Sequence, residues 1–129
     1  MIKVGLVRKI VSRGISIGEV GVTGKARIIK NNLDMSLICP GEILFVPKEL
    51  MKNIPLSKNI AGIVTNQNVN DVYALFNKNN KKISTICNLE NMDNHQISNG
   101  DLITLQLNEG VIYMGQIEDD DAIDKYKYV

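Results

Sequence analysis

The chain has no tryptophan, a single histidine, two cysteines, three prolines and two phenylalanines in 129 residues. With His95 as the one imidazole and no Cys-x-x-Cys spacing around Cys39 and Cys87, a cysteine/histidine zinc site has too few ligands, and neither a metal nor another cofactor is expected. The two cysteines are expected to be buried structural thiols. No apolar run approaches the roughly 20 residues of a membrane-spanning helix. The start, Met1-Ile-Lys-Val-Gly-Leu-Val-Arg8, lacks the charged-then-apolar layout of a signal peptide. A cytoplasmic protein with no membrane partner is expected. An excess of one charge is missing too: 15 Lys and Arg stand against 14 Asp and Glu, a formal net charge of +1, which gives no electrostatic case for nucleic acid.

What is present is valine, isoleucine and glycine. Residues 2–11 and 20–29 are rich in Val and Ile, and Gly14, Gly18, Gly21 and Gly24 punctuate them, a pattern of short strands and tight turns. Cys39-Pro-Gly41 marks a turn before Glu42-Ile-Leu-Phe-Val46, a compact apolar run expected to be a central, buried strand that stops at Pro47. Residues 48–58 suit a short helix or an irregular crossing, with Pro55 limiting any helix beyond Ile54.

Ile60-Ala-Gly-Ile-Val-Thr65 is the next strand. A helix follows, with apolar Val69, Val72, Tyr73 and Phe76 at i, i+3, i+4 and i+7. Asn68 or Asn70 would cap it, with Asp71 favourably placed in the first turn. Residues 77–82 form a polar stop, and 82–87 a β-branched strand that completes a β-α-β unit. After a polar loop over 88–100, residues 101–107 and 111–115 flank Asn108-Glu-Gly110 as a C-terminal β-hairpin. The expected architecture is one strand-rich α/β domain over residues 1–117, with an acidic tail over 118–129 that is solvated rather than docked.

Several phrases, in order, resemble the swivelling phosphohistidine domain of phosphoenolpyruvate-utilising enzymes such as pyruvate phosphate dikinase, phosphoenolpyruvate synthase and Enzyme I of the sugar phosphotransferase system. Gly14-Ile-Ser-Ile-Gly18 through Gly24-Lys-Ala-Arg-Ile-Ile29 is a loose form of that family's early glycine phrase. Pro40-Gly-Glu-Ile-Leu-Phe-Val46 is similar to its P-G-D-I-L-V strand, and Gly62-Ile-Val-Thr65 to the strand leading into its active-site loop. Residues 99–105 and 109–115 resemble its closing hairpin. The resemblance implies a compact β/β/α sandwich, and partner chains of the phosphotransferase type, because 129 residues cannot also hold the nucleotide-binding and phosphoenolpyruvate-binding domains that such a domain serves.

The site implied by the resemblance is degenerate. Tyr73 stands where the family carries its phospho-acceptor histidine, Asn68-Val69 where it has a glycine pair, Asp71 where threonine is common and Val72 where it has serine. A neutral imidazole is nucleophilic near neutral pH, whereas a phenol with a pKa of about 10 stays protonated. Glycines let backbone amides reach a phosphate, and an aspartate in the same place repels it. Tyr73 is expected to be a partly buried structural tyrosine, and His95, with Asp93 nearby, a solvent-exposed loop residue. No catalytic residue is expected.

The expected function is that of a non-catalytic homologue acting as a binding or regulatory module in a larger assembly, through Asn66, Gln67, Asn68, Asn70 and Asp71. The alternative is a subunit of a split phosphoenolpyruvate synthase or dikinase with a relocated acceptor. A small-molecule role like that of similar swivelling domains in some dehydratases would call for a glycine- and serine-rich loop, which residues 47–52 do not supply.

Overall fold

In the computed structural model, residues 9–92 and 96–115 are described. Among them eight strands form one mixed sheet: β1 (Lys9–Arg13), β2 (Ile15–Ile17), β3 (Val22–Ile28), β4 (Glu42–Val46), β5 (Ile60–Thr65), β6 (Thr85–Cys87), β7 (Leu102–Gln106) and β8 (Val111–Met114). The α-helical element among the described residues is α1 (Val69–Lys78), and two 3₁₀ helices, Asn32–Leu37 and Lys48–Asn53, fill the crossovers. This is the expected strand-rich α/β fold. The acidic tail and residues 1–8 lie outside the described residues.

The strand order is β1-β8-β7-β3-β4-β5-β6-β2. Strands β3, β4, β5 and β6 pair in parallel, and β5-α1-β6 is the expected β-α-β unit. Strands β7 and β8 form the expected hairpin, with Gly110 at φ +66° in its turn. The two ends of this order, β1 and β2, are consecutive in sequence and separated by Gly14 alone. The sheet therefore has to curl until its ends meet at that residue. There the Gly14 amide donates to the Gly110 carbonyl at 2.8 Å, and a Cβ on Gly14 would run into the Cys87 carbonyl oxygen and lie 2.8 Å from the Ile86 side chain. Glycine is required at the seam because the backbones on either side close onto it.

Curling separates two hydrophobic cores. Inside lie Ile43 and Phe45 of β4, Val64, Ile86, Ile103, Leu105 and Ile112. Outside lie Leu44 and Val46 of β4 with Ile63, covered by Val72 and Phe76 of α1 and by Met51 and Ile54. Strand β4 thus has both faces buried, as expected of a central parallel strand. Gly62 on β5 points inward, where a Cβ would lie 2.7 Å from the Leu105 side chain and 3.1 Å from that of Val22. The glycine of the Gly62-Ile-Val-Thr65 phrase is thus explained by close packing between opposed strands.

Among the described residues there is one ion pair, Arg27 with Glu42, and it fastens β3 to β4. Arg27 Nε and Nη2 donate to Glu42 Oε1 and Oε2 at 3.1 and 2.9 Å, and the Cys39 amide donates to Oε1 at 2.7 Å. Burial pushes the Glu42 carboxyl up, but the Arg27 and Cys39 hydrogen bonds and the nearby positive charge outweigh it and leave the group below the usual carboxylate range.

Two expectations need correcting. Cys39 is exposed; Cys87 is the buried thiol, its pKa raised by that burial, and both cysteines are free. Tyr73 is 42% exposed rather than packed on the apolar face of α1. Each residue turns a helix by about 100°. With Val72 and Phe76 centred on the core, Val69 and Leu75 complete the buried stripe and Tyr73 is turned out of it.

Candidate functional site

The carboxyl ends of β3, β4 and β5 all point to one end of the sheet, the end at which open α/β sheets form their clefts. The segments leaving them are tied together there by polar groups. After β5, Asn66 Oδ1 accepts from the Lys48 amide at 2.7 Å, which locks this loop to the one after β4. The Gln67 amide donates to Thr65 Oγ1 at 3.1 Å, and the Gln67 carbonyl accepts from the Asn88 amide at 2.8 Å. Asn88 adopts a left-handed φ of +63°, which asparagine tolerates better than other non-glycine residues.

Asn68 is the N-cap of α1. Its Oδ1 accepts from the Asp71 amide at 2.8 Å, while its Nδ2 donates to Asp71 Oδ2 at 2.9 Å. The end of a helix dipole that favours an anion is thus occupied by the chain's own carboxylate, and one of its first free amides is satisfied by the chain's own side chain. Of the five residues expected to form a binding surface, Asn66, Gln67, Asn68 and Asp71 each engage a side-chain oxygen internally, Gln67 Oε1 by accepting from the Asn68 amide at 3.3 Å. The exposed group is Asn68, Asn70 and Asp71, with Gln67 half-buried beside them and the ring of Tyr73 two residues beyond. His95 and Asp93 lie outside the described residues.

Sequence reasoning missed the larger feature at this end. A cleft of about 860 Å³ opens beside the ends of β3 and β4. Ile28, Phe45, Met92 and Ile97 supply its apolar wall, and Lys30, Asp34, Ser98 and Asn99 its polar rim. Asn99 Oδ1 accepts from the Ile28 amide at 2.6 Å, pinning residues 98–100 to the end of β3. Asp34 is held by a capping box at the first 3₁₀ helix: Asp34 Oδ2 accepts from the Lys30 and Asn31 amides at 2.7 and 3.2 Å, and the Asn31 side chain accepts in return from the Asp34 amide. The spacing of Asn31 and Asp34 is a local signal that could have revealed the capping box; the convergence of residues 28–34 with Met92 and residues 97–99 could not be read, because it depends on the antiparallel pairing of β3 with the distant strand β7.

No group of three or more His, Cys, Asp or Glu side chains that could hold a metal ion occurs among the described residues. No helix among them is long and apolar enough to cross a membrane.

This strand-rich α/β domain with a strand-end cleft matches no family model. Over 117 residues, 91% of the chain, it is 27% identical to pyruvate kinase 2 of Synechocystis sp.. The chain spans only 20% of that protein's length, so the likeness is to a part of it. It supports a distant relation to that kinase and goes no further.

Proposed function

We propose that this chain is a non-catalytic relative of the swivelling phosphohistidine domain and serves as a binding or regulatory module in a phosphoenolpyruvate-related enzyme assembly. The observation that carries this reading is the start of α1, where Asn68 and Asp71 cap the helix; by the resemblance, Tyr73 takes the place of the carrier. A phosphoryl group brought there would meet a fixed carboxylate instead of open amides. The two-core layering, strands over strands over α1, favours the β/β/α sandwich that the resemblance implies. The similarity to one fifth of a pyruvate kinase favours a module associated with a phosphoenolpyruvate-related enzyme. Residues 1–117 act as one domain, and the protein is cytoplasmic with a protein partner. Asn66, Gln67, Asn68, Asn70 and Asp71, with the exposed Tyr73 ring, form the binding face.

The test has two parts. Purified protein, and a Tyr73→His variant, are incubated with host extract and either labelled phosphoenolpyruvate or labelled ATP, then assayed for acid-labile phosphate. Neither takes up label, because restoring the imidazole does not remove the Asp71 carboxylate or reopen the cap. Label on the wild-type protein that disappears in His95→Gln would replace this reading with the split-phosphotransferase alternative. In parallel, the double variant Gln67→Ala, Asp71→Ala is expected to weaken binding to the host's pyruvate kinase by tenfold or more, about 1.4 kcal/mol. Unchanged binding would sink the proposed face.

A further inference from the structure

We infer that the cleft beside the carboxyl ends of β3 and β4 is a binding site for a free amino acid with an apolar side chain. The inference does not depend on the phosphoenolpyruvate relation; it stands on the shape and charge of the cleft.

Its position is the first support. The cleft lies beside the carboxyl ends of β3 and β4, and small molecules are commonly held at the ends of parallel strands. A volume of about 860 Å³ accommodates a small metabolite with its ordered water. The inner wall is hydrocarbon and aromatic: Phe45 and Ile97 are nearly buried, while Ile28 and Met92 are partly accessible. That wall suits an apolar side chain.

The rim chooses the class of ligand. Lys30 and Asp34 both line the cleft and are not paired with each other, since Arg27–Glu42 is the one ion pair among the described residues. Asp34 is fixed in place, and both amide bonds that fix it fall on Oδ2, so Oδ1 keeps its capacity to accept. Asn99 spends its Oδ1 on the Ile28 amide, which leaves Nδ2 as a donor on the same rim as Lys30. A simple carboxylic acid would gain Lys30 but be repelled by Asp34, and an amine the reverse. A zwitterion satisfies both, its carboxylate taken by Lys30 and Asn99 and its ammonium by Asp34.

The full chain is titrated with each of the common L-amino acids at about 10 mM while its melting temperature is followed, and hits are measured by calorimetry. Ligand bound only by the folded state raises the midpoint, and at 100 times Kd the rise for a chain of this size is roughly 5 °C or more. One or more of Leu, Ile, Val, Met and Phe is expected to produce such a shift. The matching des-amino acid and the matching amine each bind at least tenfold more weakly. Lys30→Met, at an exposed position, and Asp34→Asn, which keeps a side-chain acceptor for the 3₁₀ cap, each weaken binding tenfold or more, while Lys58→Met leaves it unchanged. If Asp34→Asn does not fold, Lys30→Met decides. The inference is overturned if no amino acid shifts the midpoint, if the des-amino acid binds as tightly as the amino acid, or if Lys30→Met binds like the wild type.

Discussion

Glu42 is 6% exposed on the central strand β4, and its carboxylate is held by the Arg27 guanidinium and the Cys39 amide. Because its folded pKa is depressed, the stability it contributes is fully present above the unfolded glutamate value of about 4.3 and is lost as pH falls through the folded value. Glu42→Gln is expected to cost about 2 kcal/mol at pH 7 in urea unfolding, since it leaves the half-buried Arg27 without its counter-ion. The gap between the two proteins should narrow steadily below about pH 4.3; a gap that stayed constant to pH 2 would mean the carboxylate charge contributes nothing. The same residue scale shows how legible the site was. A cap at Asn68 or Asn70 and Asp71 in the first turn could be read directly, because capping depends on neighbours three residues apart, and the structure selects Asn68. The exposure of Tyr73 could not, because the i+4 position on one side of the helix and Leu75 on the other are equally compatible with the spacing.

At the scale of elements, strands β4, β5, β7 and β8 and helix α1 were visible in outline because apolar periodicity and turn glycines are local signals. The strand expected over 82–87 begins only at Thr85, since Ile83 turns into the outer core before pairing starts. Two glycines are each required by contacts with distant segments, but with different tolerance. At Gly14 an added Cβ meets a backbone oxygen, which cannot move without opening the seam, whereas at Gly62 the nearest atom is the mobile end of Leu105 at 2.7 Å. Gly14→Ala is therefore expected to destabilise by more than about 3 kcal/mol, or to prevent folding, and Gly62→Ala by about 1 to 3 kcal/mol. Denaturant midpoints in the reverse order would mean that the seam does not close as described.

For the whole molecule, the decisive relation is between residues 9–17 and everything else: β1 pairs with β8 and β2 with β6, so one short stretch joins both ends of the sheet. A sheet closed in this way is expected to unfold as one unit. Tyr113, 2% exposed on β8, reports the burial of that strand through tyrosine fluorescence, and far-UV circular dichroism reports the backbone. Their urea transitions should coincide, and refolding should fall in the millisecond-to-second range because the pairings are long-range. Separate transitions would divide the sheet into independent units.

The order of strands and turns, the placing of a cap at Asn68 or Asn70 and the near-neutral charge balance were determined by the sequence alone, since each depends on residue identity or on spacing within a few positions. The meeting of both sheet edges at Gly14, the burial of Glu42 against Arg27, the outward Tyr73 and the cleft that brings Ile28, Lys30 and Asp34 together with Met92, Ile97 and Asn99 were decided only by the tertiary structure. Each of these joins segments far apart in the chain, and long-range pairing leaves no periodic trace in the residues that take part in it.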